Sequence, residues 1–276
     1  MGKSLSGERL DWPSIVKRAA EIVRSYDTGV TLRQLFYRLV AAELLPNTQT
    51  AYKTLSSRTA EARRTGAFPG LIDRTRRIHQ PTTFSGPEEA RRWLASFYMR
   101  DRTEGQAHSV YLAVEKAGIV EQLEAWFGGY GVPILALGGY ASQTYADEVA
   151  ADAKRQERPA VVLYAGDFDP SGEDIDRDFL ARTGCFAQME RVALNARQVE
   201  EHNLPPQPGK EADARAAAFV RRHGALVQVE LDALPPEVLR DLYAEALARY
   251  WDKSAFAESV RREREERTDL ETGRAG

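Results

Sequence analysis

Three acidic residues follow apolar segments at positions where they could bind a metal ion. Glu115 comes directly after the apolar run 109–114, and Asp167 and Asp169 follow the apolar run 160–165. Carboxylates that crowd together repel one another, and a hard divalent cation removes that repulsion. Mg²⁺ suits a site with few carboxylates and several retained waters, and it can stabilise charge on a reacting phosphate. The spacing therefore predicts a Mg²⁺ site that acts on phosphate groups.

Two other interpretations of the Asp-x-Asp motif compete with the metal site. Aspartate caps helices and Pro-Ser-Gly makes turns, so Asp167 and Asp169 could have a purely structural role. A phosphatase of the haloacid-dehalogenase type also carries Asp-x-Asp after an apolar strand. That class has the motif near the start of the chain, whereas here it lies beyond the midpoint. That class also leaves Glu115 unexplained.

The stretch after residue 108 alternates apolar strands with helices. We expect strands over 109–114, 133–137 and 160–165, and possible further strands over 191–194 and 226–229. Helices are expected over 118–127, 142–155, 172–183, 210–222 and 236–250. This alternation indicates a parallel sheet covered on both faces. Because carboxyl ends of such strands meet at one edge, the three acidic residues are expected to converge.

Three short helices are expected earlier in the chain, over 12–26, from Thr31 to about residue 44, and over about 48–65. The second begins at a capping box formed by Thr31 and Gln34. A basic third helix followed by an irregular stretch over 66–87 is typical of a helix-turn-helix or winged-helix module. Its cations could contact DNA phosphates, although a solvated basic face explains any one of them equally well. They are Lys53, Arg58, Arg63 and Arg64, followed by Arg74, Arg76 and Arg77.

The charge is distributed unevenly along the chain. The net charge is −3, yet residues 1–100 contain 17 basic and 9 acidic residues, and the remainder contains 21 basic and 32 acidic residues. A polyanion-binding module joined to a metal-binding or merely solvated one fits this pattern. The single Cys185 excludes an intrachain disulfide, and four scattered histidines argue against zinc. No apolar run approaches membrane-spanning length, so we expect a cytoplasmic protein with no membrane partner.

These patterns predict four parts. We expect a DNA-binding helical domain over 1–84, a connecting helix and linker over 85–108, and an α/β domain over 109–252. The remainder, 253–276, is expected to be a charged C-terminal tail that is frayed or disordered from Arg261 onward.

Three motifs together resemble a known family. Val114-Glu115-Lys116-Ala117-Gly118, Gly138-Gly139-Tyr140 and the sequence GDFDPSG over 166–172 are similar, in order and spacing, to the Toprim domain of the topoisomerase VI A subunit and the related meiotic double-strand-break enzymes. The resemblance covers roughly residues 12–250. It implies an α/β fold in which an N-terminal winged-helix (CAP-like) domain precedes a Toprim, Rossmann-like parallel-sheet domain. It also implies that Glu115, Asp167 and Asp169 hold Mg²⁺.

The same resemblance points to a nucleophile. In that family the winged helix carries a catalytic tyrosine that follows an aromatic residue and has an arginine four residues before it. The sequence TLRQLFY over 31–37 contains this pattern, so the resemblance implies Tyr37 as nucleophile and Arg33 as its partner. On a helix these two residues stack as an i,i+4 pair, and a guanidinium favours a phenolate and binds phosphate. From the helix alone, a core-edge tyrosine beside a solvated arginine is the simpler interpretation.

The resemblance implies a type IIB topoisomerase A-subunit-like enzyme, in which Tyr37 attacks a DNA phosphate and forms a 5′-phosphotyrosyl bond. It also implies association of the protein with the nucleoid, double-stranded DNA as substrate, a homodimer whose tyrosine works with the partner's metal, and possibly an ATPase B-type subunit in trans. The extension that meets that subunit is essentially missing, and we find no nucleotide-binding motif. Two alternatives remain: a metal-dependent hydrolytic Toprim nuclease, and a non-enzymatic DNA-binding protein with a degenerate Toprim fold.

Overall fold

Three helices form the first part of the chain and pack around an apolar core of their own. In the computed structural model, which describes residues 10–27, 29–73, 81–208 and 213–272, they are α1 (Trp12–Arg24), α2 (Leu32–Ala41) and α3 (Gln49–Arg64). A side chain caps the N-terminus of each helix, and the expected capping box between Thr31 and Gln34 is present at the start of α2. The buried faces contribute Ala19, Leu35, Leu39 and Leu55 to the core. The three predicted helices are therefore confirmed.

The irregular stretch over 66–87, expected to be a wing or a linker, forms no wing in its described residues. The described residues after α3, 65–73 and 81–86, contain no strand. Arg74, Arg76 and Arg77 lie outside the described residues. What the structure supports for this part of the chain is a three-helix module.

A parallel sheet forms the centre of the second part. Its strands β1 (Ser109–Val114), β2 (Ile134–Ala136), β3 (Ala160–Ala165) and β4 (Phe186–Ala193) lie in the order β2-β1-β3-β4, all parallel. Every residue of β1 and β3 is buried, which explains their unbroken apolar sequences. The predicted α/β class with a parallel, Rossmann-like sheet is confirmed.

Helices cover both faces of this sheet. They are α5 (Val120–Phe127), α6 (Gln143–Arg155), α7 (Gly172–Thr183), α8 (Ala196–Glu201), α9 (Ala216–His223) and α10 (Pro236–Ala248), whereas α4 (Pro87–Phe97) precedes the sheet in the chain. On one face, Leu123 of α5 and Tyr243 of α10 pack against Leu112 and Leu163. On the other, α6 and α7 pack against Tyr111 and Tyr164. The two layers hold the strand ends rigidly, because each strand is fixed by side chains above and below it.

Two strand predictions need correction. The strand expected over 191–194 begins earlier, at Phe186, because β4 is an edge strand whose middle residues are polar and partly exposed. The segment expected as a strand over 226–229 does not join the parallel sheet. Its residues Val227–Gln228 form β6, which pairs antiparallel with β5 (Gln207–Pro208).

The charged C-terminal segment is an ordered helix, contrary to expectation. Helix α11 spans Lys253–Thr272 and packs against α4. The side chain of Glu263 is only 1% exposed and pairs with Arg102 at 2.6 Å and with Arg267 at 2.8 Å. It also accepts a hydrogen bond from the backbone N–H of Arg100 at 3.1 Å. Contacts distant in sequence thus stabilise a helix whose composition favours disorder.

Within the described ranges, no helix combines the length and the apolar character needed to cross a membrane.

We expect Glu263→Gln to lower the free energy of unfolding by about 3 kcal/mol, because it leaves the charge of Arg102 without its buried partner. Urea titration followed by circular dichroism measures this change. Glu258→Gln is the matched control on the same helix, because the Glu258 side chain is 43% exposed and pairs with Arg261 and Arg262. An equal, small effect of both substitutions would show that Glu263 does not order α11.

Candidate functional site

Two neighbouring strands present acidic residues at one edge of the sheet. Val114 and Ala165 are paired in register, so the residues that follow β1 and β3 emerge side by side. The carboxylate of Glu115 accepts a hydrogen bond from the backbone N–H of Asp167 at 2.8 Å. The charge of Asp169 acts on Glu115 and contributes to raising its pKa. The structure therefore brings together the three acidic residues that the sequence singled out.

A buried lysine neutralises part of this acidic edge. The ammonium of Lys116 lies 2.9 Å from Oδ1 of Asp167, and the lysine side chain is only 16% exposed. The same carboxylate oxygen accepts a hydrogen bond from the backbone N–H of Leu231 at 2.8 Å. Asp167 is thus held by one cation and one backbone group.

A second acidic pair, missed from the sequence, completes the cluster around Lys116. Phe168 and Val229 are joined by two backbone hydrogen bonds, which place the following segment beside the Asp-x-Asp loop. Lys116 forms a short ion pair with Glu230 and lies 3.6 Å from Asp232. The signal was available: Glu230 and Asp232 form an acid-x-acid pattern directly after an expected strand, as Asp167 and Asp169 do.

Burial dominates the ionisation of the two carboxyl groups Glu115 and Asp167. It raises the pKa of Asp167 to about 7; Lys116 opposes the rise and Glu115 adds to it. Burial also raises the pKa of Glu115. For Lys116, burial alone would lower the pKa, but Asp167, Asp232 and Glu230 outweigh it and hold the ammonium charged. The acidic edge therefore carries more negative charge than the single positive charge of Lys116 can neutralise.

Helix α2 delivers the predicted tyrosine to this cluster within the same chain. The Tyr37 ring centroid lies 5.7 Å from Nζ of Lys116 and 5.5 Å from the guanidinium carbon of Arg33. Arg33 also lies 3.6 Å from Glu230. Arg38 fixes the helix by donating a hydrogen bond to the carbonyl of Ala233 at 3.1 Å. The resemblance implied a tyrosine working with the partner's metal site, whereas here tyrosine and acidic edge meet in one chain.

The environment of Tyr37 does not favour its phenolate. Burial raises the pKa of Tyr37, and the charge of Glu230 raises it further; Arg33 and Lys116 lower it without reversing the shift. Arg33 therefore lowers the pKa of the phenol as expected, but the pKa of Tyr37 remains above its usual value. At neutral pH Tyr37 is protonated, and its proton must leave during any attack on phosphate.

Close packing shapes the loop that carries Asp167 and Asp169. A Cβ on Gly172 would overlap the carbonyl oxygen of Asp167, and one on Gly166 would overlap the hydroxyl of Tyr164. Arg191, also missed from the sequence, donates hydrogen bonds to the carbonyls of Asp167 at 2.6 Å and Gly172 at 3.0 Å. The loop is thereby held in one conformation.

Asp169 has the structural role that the competing interpretation assigned to it. Its Oδ1 accepts hydrogen bonds from the backbone N–H of Gly172 at 2.6 Å and from the hydroxyl of Ser171 at 3.1 Å. These bonds turn the chain into α7. They engage one of the two carboxylate oxygens, so the structural role and a ligand role are compatible.

The oxygen ligands at this edge suit a hard divalent cation, but the present arrangement of the side chains does not hold one. Among the described residues, no group of three or more Asp, Glu, His or Cys side chains is arranged to hold a metal ion. Oδ1 of Asp167 is bound to Lys116, and Oδ1 of Asp169 to the start of α7. Glu115 and Asp167, whose pKa values burial raises, and the neighbouring Asp169 nevertheless match the oxygen ligands that Mg²⁺ prefers. A bound ion would have to compete with Lys116 for Asp167.

The predicted DNA-binding cations are all exposed on α3 but do not form one stripe. At about 100° per residue, Lys53 and Arg64 lie on the outer face, opposite the buried Leu55 and Thr59. Arg58 and Arg63 flank that face on opposite sides. Arg63 faces a cleft between the helical module and the start of α5, which Arg33 also lines.

No family model matches the chain, and no curated protein matches it.

We expect Lys116→Met to lower the free energy of unfolding by about 3 kcal/mol in EDTA, because several buried carboxylates lose their common cation. Mg²⁺ should restore part of the loss, since a divalent ion can replace the missing charge. Thermal and urea unfolding with and without Mg²⁺ measure both effects. Lys17→Met, on the exposed face of α1, is the control; equal behaviour of the two variants would contradict the central role of Lys116.

We expect Asp167 to contribute a loss of stability to the wild-type protein in EDTA as pH rises from about 4 to about 7. The reason is that folded Asp167 keeps, up to a pKa of about 7, a proton that the unfolded chain has already released. Asp167→Asn should make this slope shallower, as measured by urea titrations at pH 5 and pH 8. Asp147→Asn, on an exposed position of α6, should leave the slope unchanged. Identical slopes in all three proteins would refute the assignment.

Proposed function

We propose that this chain cleaves DNA by transesterification, with Tyr37 as the nucleophile, in the manner of a type IIB topoisomerase A subunit. One observation carries the proposal: the tyrosine of α2 lies beside the lysine that holds the acidic edge of the sheet. A nucleophile, two cations and a set of carboxylates then surround one point. The proposal treats α1–α3 as part of a winged-helix domain and the α/β part as a Toprim domain.

In the proposed reaction the Tyr37 oxygen attacks a DNA phosphorus and forms a tyrosyl phosphodiester. The bond from phosphorus to the sugar oxygen breaks, and that oxygen leaves as a hydroxyl after taking up a proton. Because Tyr37 is protonated at neutral pH, its own proton must depart as the new bond forms. Arg33 and Lys116 flank the ring and would stabilise the negative charge that develops there.

Arg33 has a second role in the proposal. Its side chain is 59% exposed, so its guanidinium can reach a phosphate while its stem stays beside Tyr37. A planar guanidinium binds two phosphate oxygens at once, which fixes the phosphate in line with the phenol.

Glu115, Asp167 and Asp169 would hold Mg²⁺, which would supply positive charge to the phosphate and sugar oxygens. Double-stranded DNA is the proposed substrate, in keeping with the basic first part of the chain. A homodimer would place two such sites on one duplex and so cut both strands. An ATPase subunit in trans and association with the nucleoid belong to the same proposal.

A metal-dependent hydrolytic nuclease is the second candidate. The observation in its favour is the raised pKa of Tyr37, since a phenol that stays protonated is a poor nucleophile and a metal-bound water would not need it. A non-enzymatic DNA-binding protein is the third candidate, and the ion pair between Lys116 and Asp167 favours it. A protein of this kind would bind DNA in a salt-dependent way that does not depend on Mg²⁺.

We expect the wild-type protein, incubated with supercoiled DNA and Mg²⁺ and then denatured, to remain covalently attached to cleaved DNA. Tyr37→Phe should abolish attachment, and Arg33→Ala should reduce it about 100-fold. Tyr98→Phe removes a phenol that follows α4 and donates a hydrogen bond to Glu266 of α11, and it should leave attachment intact. Gel separation of protein-linked DNA measures all four.

The same gels separate the candidates. Cleavage that persists in Tyr37→Phe without attachment, and is lost in Glu115→Ala, would replace transesterification with hydrolysis. Salt-sensitive binding with no cleavage in any protein would support the non-enzymatic candidate.

A further inference from the structure

A cavity of about 440 Å³ opens beside Tyr37, between α2 and the start of α3. We infer that it receives one unpaired nucleotide of the DNA strand that Tyr37 attacks, with the base recognised by Tyr52, Asn47 and Gln49. The inference that this strand is the one attacked by Tyr37 rests on the proposed function. The inference that a nucleotide binds here rests on the cavity itself. The wall also includes Arg33, Phe36 and Tyr37, so the bound nucleotide would adjoin the reacting phosphate.

An aromatic ring fixed in the wall provides a surface for a base. Tyr52 is half-buried, and its ring meets Phe36 edge-to-face with centroids 5.2 Å apart. Phe36 is buried in the core of the helical module and in turn meets Tyr37 edge-to-face at 5.6 Å. The ring that faces the cavity is therefore held in place before a ligand arrives. Nucleobases stack on such rings with little regard to sequence.

Two amide side chains provide the hydrogen-bonding groups that a base edge requires. Asn47 and Gln49 are exposed beside the cavity, and neither side chain has a hydrogen-bond partner among the described residues. An amide offers a donor and an acceptor side by side, which matches the edge of a base and adenine in particular. A fatty or purely anionic ligand would not use these groups.

Arg33 and Tyr52 connect the cavity to a larger space. Both residues also line the cleft of about 880 Å³ that extends past Arg63 toward the start of α5. A strand could thus place one nucleotide in the small cavity, its phosphate at Arg33, and its next residues along the cleft. The small cavity has the size of a site for a single small group, whereas a base pair in a duplex would keep its base inside the stack. The nucleotide must therefore leave the stack.

The unstacking cost predicts a preference among DNA substrates. A base that is already unpaired needs less energy to leave the duplex than a matched base. We expect wild-type protein in EDTA to bind a duplex with one unpaired 2-aminopurine about tenfold more tightly than the fully matched duplex. Stacking on Tyr52 should also quench the fluorescence of the unpaired 2-aminopurine. Anisotropy of a labelled strand and the fluorescence of the base give two independent readouts.

Variants test the recognition itself. Tyr52→Leu and Asn47→Ala should remove the preference and the quenching. Asn47 is exposed, so its substitution keeps the proposal testable even if Tyr52→Leu weakens the helical module. Lys53→Gln is the matched control next to Tyr52: it removes an exposed positive charge that would attract phosphate and should weaken binding of both duplexes by the same factor.

Equal affinity of the wild-type protein for both duplexes, or an unchanged preference in Tyr52→Leu and Asn47→Ala, would overturn the assignment. Covalent attachment through Tyr37 is measured separately on the same preparations. Covalent attachment without any preference would refute nucleotide binding in the cavity and would still support the proposed function. A preference that depends on Tyr52 and Asn47, with no attachment, would support nucleotide binding in the cavity and refute the proposed function.

Discussion

The ammonium of Lys116 is the contact on which the candidate site depends. It joins Asp167 after β3 to Glu230 and Asp232 on the segment after β6, and it faces the ring of Tyr37 on α2. Without this cation, the buried carboxylates would repel one another, and the ring of Tyr37 would lose one of the two cations beside it. The lysine therefore sets the charge balance of the acidic edge and contributes to the surroundings of the tyrosine.

Much of this arrangement follows from local rules that the sequence displays. Strands β1 and β3 are apolar throughout because both faces are covered, and parallel pairing then brings their carboxyl ends together. The start of α2 was predictable because Thr31 and Gln34 satisfy each other's backbone groups. The tyrosine itself was found only through a resemblance, since a phenol on the flank of an amphipathic helix has no special pattern.

The remainder depends on contacts between distant residues. From the sequence alone, Lys116 would be interpreted as an ordinary surface lysine, because its partner Glu230 lies more than a hundred residues later in the chain. The composition of helix α11 predicts a disordered tail, because the ion pair between Glu263 and Arg102 joins residues that are far apart in the sequence. The edge strand β4 is partly hidden by its polar middle residues. Periodicity cannot show any of these contacts.

The two glycines that bracket the Asp-x-Asp loop restrict how this protein can diverge. At position 166 the obstacle to a side chain is the phenol of Tyr164, so a smaller residue at 164 could make room for a change. At position 172 the obstacle is the backbone carbonyl of Asp167, and no second substitution removes a carbonyl. Among descendants of this sequence, positions 164 and 166 should consequently vary as a pair, while glycine at 172 should be invariant.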